Sequence, residues 1–195
     1  MIEPHPHWQW RWTHDGLVMP WFTRPCLEWL VAQNLKGSIV LEWGIGCDIP
    51  WWGRACAKFI GIDHDPGIGK DHQNAAPPFD SALCYVGVAN RGLTEDGADM
   101  HNPYVGAGIM FAQRYEPYMV VVDGLCRRGC VSAMRQLMEG QRADYRPRYI
   151  IVDNAERPGM LPIRGELAEA GFSLTSYVQT DHAGGWTTDV WERRA

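Results

Sequence analysis

Three stretches of the chain, SIVLEW (38–43), YMVVVDG (118–124) and RYIIVDN (148–154), share one pattern: an apolar run that ends on an acidic residue. The unbroken valines of the second leave no polar face for solvent, which suits a strand covered on both sides. AKFIGID (57–63) and SALCYVGVA (81–89) are further apolar runs of strand length. Between the first two strands, IPWWGRACA suits a short helix with Pro50 in its first turn. Residues 125–139 and LPIRGELAEAG suit helices, the second ended by Gly171. FSLTSYVQT and TTDVWERR then make a closing strand pair around a turn region at Gly184–Gly185. Strands alternating with helices before a terminal hairpin predict an α/β, doubly wound, mostly parallel sheet with a C-terminal antiparallel strand.

Ahead of this series, WFTRPCLEWLVAQNLKG reads as a helix with Thr23 as its cap, Pro25 in its first turn and Gly37 at its end. The arm before it, HPHWQWRW, suits aromatic packing on the domain surface, with closure of a pocket mouth as the alternative. Residues 64–80 and 90–108 are rich in Gly, Pro, Asn and Asp and are expected to be long loops, either functional or disordered.

With 195 residues the chain has room for one sizeable core, so a single domain over 1–195 is expected, the aromatic arm and opening helix occupying 1–37. The net charge of −5 argues against a broad nucleic-acid footprint, which needs a basic face. The arginines at 127–128 and at 142, 146 and 148 read most simply as solvated surface, unless they line a site for an anion. No apolar run approaches the length of a membrane span, and the N-terminus lacks the apolar core of a signal peptide. Six cysteines without such a signal suit reduced thiols, and a cytoplasmic protein is expected. Cys126 and Cys130 stand one helical turn apart with no further ligands at zinc spacing, so they read as core thiols.

Function enters at VLEWGIGCDIPWW (40–52). In an open α/β sheet, ligands bind beyond the carboxyl ends of the strands, where the strand order reverses. Glu42, Gly44 and Gly46 stand where the first strand of the series ends. Glycines there permit a positive φ and close approach by a ligand; a tight turn without a ligand is the simpler alternative. The dinucleotide pattern G-x-G-x-x-G/A fails at Ile49, and no P-loop is present. A less anionic, nucleoside-like ligand remains, with Asp63 of GIDHD placed to hold ribose hydroxyls. An exposed turn or a helix cap is the other reading of Asp63.

E-x-G-x-G followed by an acid after the next strand resembles the class I S-adenosylmethionine-dependent methyltransferases. Further stretches are similar to one bacterial branch of that family. MPWFTRPCLEWL resembles its opening helix, DGLCRRGC its D-G-x-x-R-x-x-C (Asp123, Gly124, Arg127, Cys130), and IIVDNAER its D-N-x-x-R (Asp153, Asn154, Arg157). WTTDVW resembles its closing strand. The resemblance spans nearly the whole chain, and it departs after Gly46, where that branch carries Ser-Thr and this chain has Asp48-Ile49. It implies a Rossmann-like methyltransferase fold and S-adenosylmethionine seated by Glu42, Gly44, Gly46, Asp63 and Asp123.

Asp123, Asp153 and Asn154 close neighbouring strands ~4.8 Å apart, so their oxygens can converge at one sheet edge. Such a set suits Mg²⁺, and the layout is similar to that of catechol-type O-methyltransferases, which use a divalent metal there. Those enzymes carry a lysine near the reacting oxygen; here the nearest equivalents are Arg127 and Arg128, which are poor bases but good clamps for an anion. Helix capping is the alternative for the acids. Arg127 paired with Asp123 or Asp153, without a metal, is the preferred arrangement. Methyl transfer to a small-molecule oxygen or nitrogen is the leading expectation, with Asp123, Arg127, Asp153 and Asn154 facing the acceptor. Cleavage of the cofactor by a lyase or hydrolase, or nucleoside binding without chemistry, are the competing ones. No nucleic-acid or membrane partner is expected.

Overall fold

The computed structural model of the chain describes residues 1–7, 11–65, 67, 82–88, 93–140, 144–181 and 185–194. Its centre is a seven-stranded sheet built from β4 (Ile39–Trp43), β5 (Lys58–Asp63), β6 (Ala82–Gly87), β7 (Met119–Val122), β8 (Tyr149–Asp153), β9 (Phe172–Gln179) and β10 (Trp186–Arg193). The strands lie in the order β6-β5-β4-β7-β8-β10-β9. From β6 to β8 all pairs are parallel, and β10 runs antiparallel to both β8 and β9. The expected parallel pairing of residues 38–43 with 118–123 is present, with Val40 opposite Met119 and Trp43 opposite Val122.

The valine run is buried on both faces, as its sequence requires. Val120 and Val122 join one core with Leu41, Trp43, Ile150 and Val152; Met119 and Val121 join another with Val40 and Ile151 on the opposite face. The first face is covered by α3 (Pro103–Tyr115), α4 (Arg127–Glu139) and α5 (Leu161–Glu169). The second is covered by α1 (Arg24–Val31) and α2 (Ile49–Ala55), through Leu27, Leu30 and Trp52. Between β4 and β7 the strand order reverses, which opens a crevice above their carboxyl ends.

The N-terminal arm forms a small separate sheet of β1 (Ile2–Pro4), β2 (Trp12–His14) and β3 (Leu17–Val18). Asp15 and Gly16 both take positive φ, 52° and 76°, as the two-residue turn between β2 and β3 demands. Ile2, Trp12 and Leu17 pack on the second core. Part of HPHWQWRW, like most of 64–80, lies outside the described residues.

Two expectations need correction. The opening helix ends at Val31, well before Gly37, and Thr23 stands at its N-cap position without a side-chain capping bond. The Thr23 hydroxyl donates to the Tyr177 carbonyl, and the helix entrance is satisfied from the sheet. Thr23 N–H donates to Thr188 Oγ1 and Arg24 N–H to Gln179 Oε1, both at 3.0 Å. Second, the stretch 90–108, expected to be loop throughout, contains the start of α3. Asn102 accepts from Tyr104 N–H at 2.9 Å and Pro103 occupies the first turn. The helix carries Gly108 because a Cβ there would overlap the indole of Trp43, whose Nε1 donates to the Tyr104 carbonyl at 3.2 Å. Among the described residues no helix is long and apolar enough to cross a membrane.

Candidate active site

The two glycines after β4 have different reasons to be there. Gly44 has φ +89°, and a Cβ on it would overlap the backbone of Gly124, just past β7. Its N–H donates to Ile62 O at 2.8 Å, while the N–H groups of Asp123 and Gly124 both donate to Trp43 O at 2.9 Å. The ends of β4, β5 and β7 are thus knotted together through bare backbone, and Gly44 is demanded by the fold whatever binds above it. At Gly46 an added Cβ would meet only Asp48 Oδ1, at 3.6 Å. That position is open to a ligand.

Asp48, which departs from the Ser-Thr of the resembling family, holds this loop. Its Oδ1 accepts from Gly46 N–H at 2.9 Å and its Oδ2 from Trp52 Nε1 at 3.1 Å. Burial raises its pKa from the ordinary value, against these hydrogen bonds, which lower it.

Above the ends of β4, β7 and β8 lies a cavity of about 490 Å³. Gly44, Gly46, Asp123, Arg127, Asp153 and Asn154, all singled out from sequence, line it together. Glu42 and Asp63 do not. Glu42 is wholly buried, and burial followed by the charge of Asp48 pushes its pKa well up, against a smaller lowering by the Trp52 side chain. Burial and the Asp48 charge both act against the charged form of this acid beneath the glycine turn. Asp63 ends β5 on the other side of β4; it is buried, its Oδ1 accepts from Asp65 N–H at 2.7 Å, and burial raises its pKa.

Asp123 stands at the cavity floor. Arg127, one helical turn on, donates through Nη2 to the Asp123 carbonyl at 2.5 Å and to its Oδ1 at 3.2 Å. About 20% of the Asp123 side chain stays exposed to the cavity. Burial, with a smaller contribution from the Asp48 charge, pushes its carboxyl up to about 7 against the opposing pull of Arg127. Asp153 is spent differently: Trp186 Nε1 donates to both its oxygens, at 3.0 and 3.2 Å, and Thr188 Oγ1 donates to Oδ1 at 2.7 Å. Burial, then the charge of Asp123, raises its pKa well above the usual value. Asn154 turns the chain with φ +53°.

Arg127 is not solvated surface: its side chain is only 5% exposed. The N-terminus of α4 from which it rises is closed by carbonyls of the preceding loop. Cys126 N–H donates to Thr94 O, Arg127 N–H to Glu95 O and Gly129 N–H to Gly97 O, all within 2.9 Å. Cys130 of the same motif is a buried core thiol, as expected, and so is Cys126.

Several further residues line the cavity. Arg11, from the arm, lies 4.3 Å over the Trp21 ring, and Trp21 meets Trp186 edge-on at 6.2 Å. Glu95 reaches the cavity from the loop before α3 and pairs with Arg157, and Glu156 accepts from Thr187 N–H at 2.9 Å. WQWRW hinted at Arg11 through its aromatic neighbours; nothing in TEDGAD set Glu95 apart.

Mg²⁺ does not fit the carboxylate set. Both oxygens of Asp153 already accept from protein donors, and a guanidinium lies against Asp123. Among the described residues no group of three or more His, Cys, Asp or Glu is arranged to hold a metal ion.

No protein-family model matches the chain, and no curated protein matches it. Solved structures do. Magnesium protoporphyrin IX methyltransferase from Synechocystis PCC 6803, with bound SAM, matches with TM-score 0.55 and 18% identity over 87% of this chain and 77% of that one. An O-methyltransferase from Bacillus cereus in complex with SAH matches with TM-score 0.56 and 12% identity, over 88% and 82%. The chain therefore has the fold of the class I S-adenosylmethionine-dependent methyltransferases. A precorrin 8w decarboxylase from Methanobacterium thermoautotrophicum shares it too, with TM-score 0.52 and 11% identity over 87% and 88%.

Proposed function

We propose that the chain transfers a methyl group from S-adenosylmethionine to an oxygen or nitrogen of a small molecule. The observation that carries this reading is the cavity itself. It lies at the strand-order reversal of a methyltransferase fold and has the open Gly46 loop on one wall and a partly exposed, Arg127-braced Asp123 on the floor. The cofactor would supply an electrophilic methyl on a sulfonium. With the cofactor held there, transfer would join that methyl to the nucleophile's lone pair and leave the carbon–sulfur electrons on sulfur. Asp123 receives the proton that the nucleophile gives up. Alignment of the two partners is the main contribution asked of the protein.

Within this reading Gly44 and Gly46 pass under the methionine side, Asp63 holds the ribose hydroxyls, and Arg127 and Asn154 face the acceptor. Asp153 braces the wall through Trp186 and Thr188. Loss of a charged acceptor of hydrogen bonds costs ~1.5–3 kcal/mol, so Asp63→Ala is expected to weaken S-adenosylmethionine binding by roughly ten- to a hundredfold. Isothermal titration measures it, and unchanged affinity removes Asp63 from the site. Because the acids near the cavity do not suit Mg²⁺, turnover is expected to survive exhaustive chelation. A loss that added Mg²⁺ restores would return the metal to the mechanism. Analysis of products separates methyl transfer from cleavage of the cofactor.

A further inference from the structure

We propose that the methyl acceptor is a small organic carboxylate whose anionic group takes the place of the Glu95 side chain between Arg127 and Arg157. The role given to this ligand rests on the methyltransferase reading; its binding does not. Arg127 is the starting observation. It is a guanidinium buried to 5% exposure, and its Nε and Nη1 have no hydrogen-bond partner. Unpaired donors on a buried charge are costly, and such a group is a standing demand for an oxyanion. Glu95 Oε2 answers it only in part, standing 3.8 Å from Nη1, beyond hydrogen-bond reach. The same oxygen pairs with Arg157 Nη1, so one carboxylate lies between two guanidiniums at the edge of the cavity.

Glu95 is easily removed from that position. Its side chain is 51% exposed, and ion pairs of half-exposed groups contribute little. Its backbone need not follow, since the loop is held by the amides of α4. A ligand carboxylate arriving through the cavity would meet the same two guanidiniums, with Asp123, 3.2 Å from Arg127, and Asp96, 3.8 Å from Arg157, as the other acids beside them. Trp186 and Trp21 wall the cavity and suit a flat body behind that carboxylate. Both arginines follow β7 and β8, across β4 from Asp63, which places them on the acceptor side and away from the ribose.

The test uses benzoate as probe, titrated calorimetrically into the full chain saturated with S-adenosylhomocysteine, with benzamide and benzylamine as neutral and cationic controls. Benzoate is expected to bind and the controls to bind at least ~10-fold more weakly. Arg127→Ala and Arg157→Ala should each weaken benzoate by ~10-fold or more, while Glu95→Gln, which removes the competitor, should strengthen it ~2–5-fold. Failure of benzoate to bind, benzamide binding equally well, or weaker benzoate binding in Glu95→Gln overturns the proposal. It is also overturned if Arg157→Ala weakens S-adenosylhomocysteine but not methylthioadenosine, since the arginines would then hold the cofactor's own carboxylate. Should Arg127→Ala fail to fold, Arg157→Ala and Glu95→Gln decide the matter. If benzoate responds as expected in a chain that does not bind S-adenosylhomocysteine, the methyltransferase reading falls and the carboxylate site stands.

Discussion

Replacing Asp123 by Asn is expected to slow methyl transfer by about 10²–10⁴-fold, the usual contribution of a positioned general base. The amide keeps the size of the carboxyl and can still accept from Arg127, so the substitution removes the proton acceptor and little else. The sign of the pH dependence follows from burial. Asp123 is pushed up to about 7, and only its ionised form can take the proton, so the rate should rise as pH increases through that value and level off above it. The Asn variant should lack this rise. Single-turnover transfer of labelled methyl groups to an accepted substrate measures the rate, and a carboxyl NMR titration of the protein locates the midpoint without any turnover. A variant that loses only affinity for S-adenosylmethionine, with its rate at saturation intact, would make Asp123 a cofactor ligand and leave the base to be found elsewhere.

The second large effect concerns the fold. Gly44→Ala puts a Cβ into the backbone of Gly124 at a residue with φ +89°. Backbone strain of ~1–3 kcal/mol and overpacking of ~1–3 kcal/mol both apply. A destabilisation of roughly 4 kcal/mol is expected, seen as a fall in Tm of roughly 8–16 °C for a chain of this size. Gly46→Ala is the control: with only Asp48 Oδ1 near the new atom, stability should change by less than ~1 kcal/mol, whereas cofactor binding should suffer. Thermal unfolding and titration together separate the two. Equal stability losses at both positions would contradict the division of labour between the glycines.

The sheet was legible in the sequence because its strands carry their own signature. A run such as YMVVVD has no face to spare for water, and covering it on both sides leaves few arrangements other than parallel strands between helix layers. The acids at the strand ends were legible for the same reason: once strands are parallel neighbours, the residues that follow them are neighbours too. α3 was hidden because its two glycines and the Asn-Pro before it read as loop chemistry; at Gly108 the glycine answers a tertiary demand, room for the Trp43 ring, that no local pattern expresses. The expected Thr23 cap failed because the entrance of α1 is satisfied by Thr188 and Gln179, far along the chain. Arg127 looked like surface charge because adjacent arginines usually are. Its burial depends on how α4 meets the sheet. Arg11 and Glu95 come from segments that no strand or helix period positions, so only the folded chain brings them to the cavity.

The carbonyls of Thr94, Glu95 and Gly97 close the N-terminus of α4, and this bears on how such a pocket can change over evolution. Where a helix end faces a ligand, the positive field belongs to the main chain and survives any substitution. Here the loop has taken up those amides, and the cationic groups that line the cavity are the side chains of Arg11, Arg127 and Arg157. Each is encoded by a single codon and rises from a different segment. Preference for an anionic, neutral or cationic acceptor can therefore drift one residue at a time on an unaltered scaffold, and relatives with the same sheet and the same glycine turn need not share a substrate.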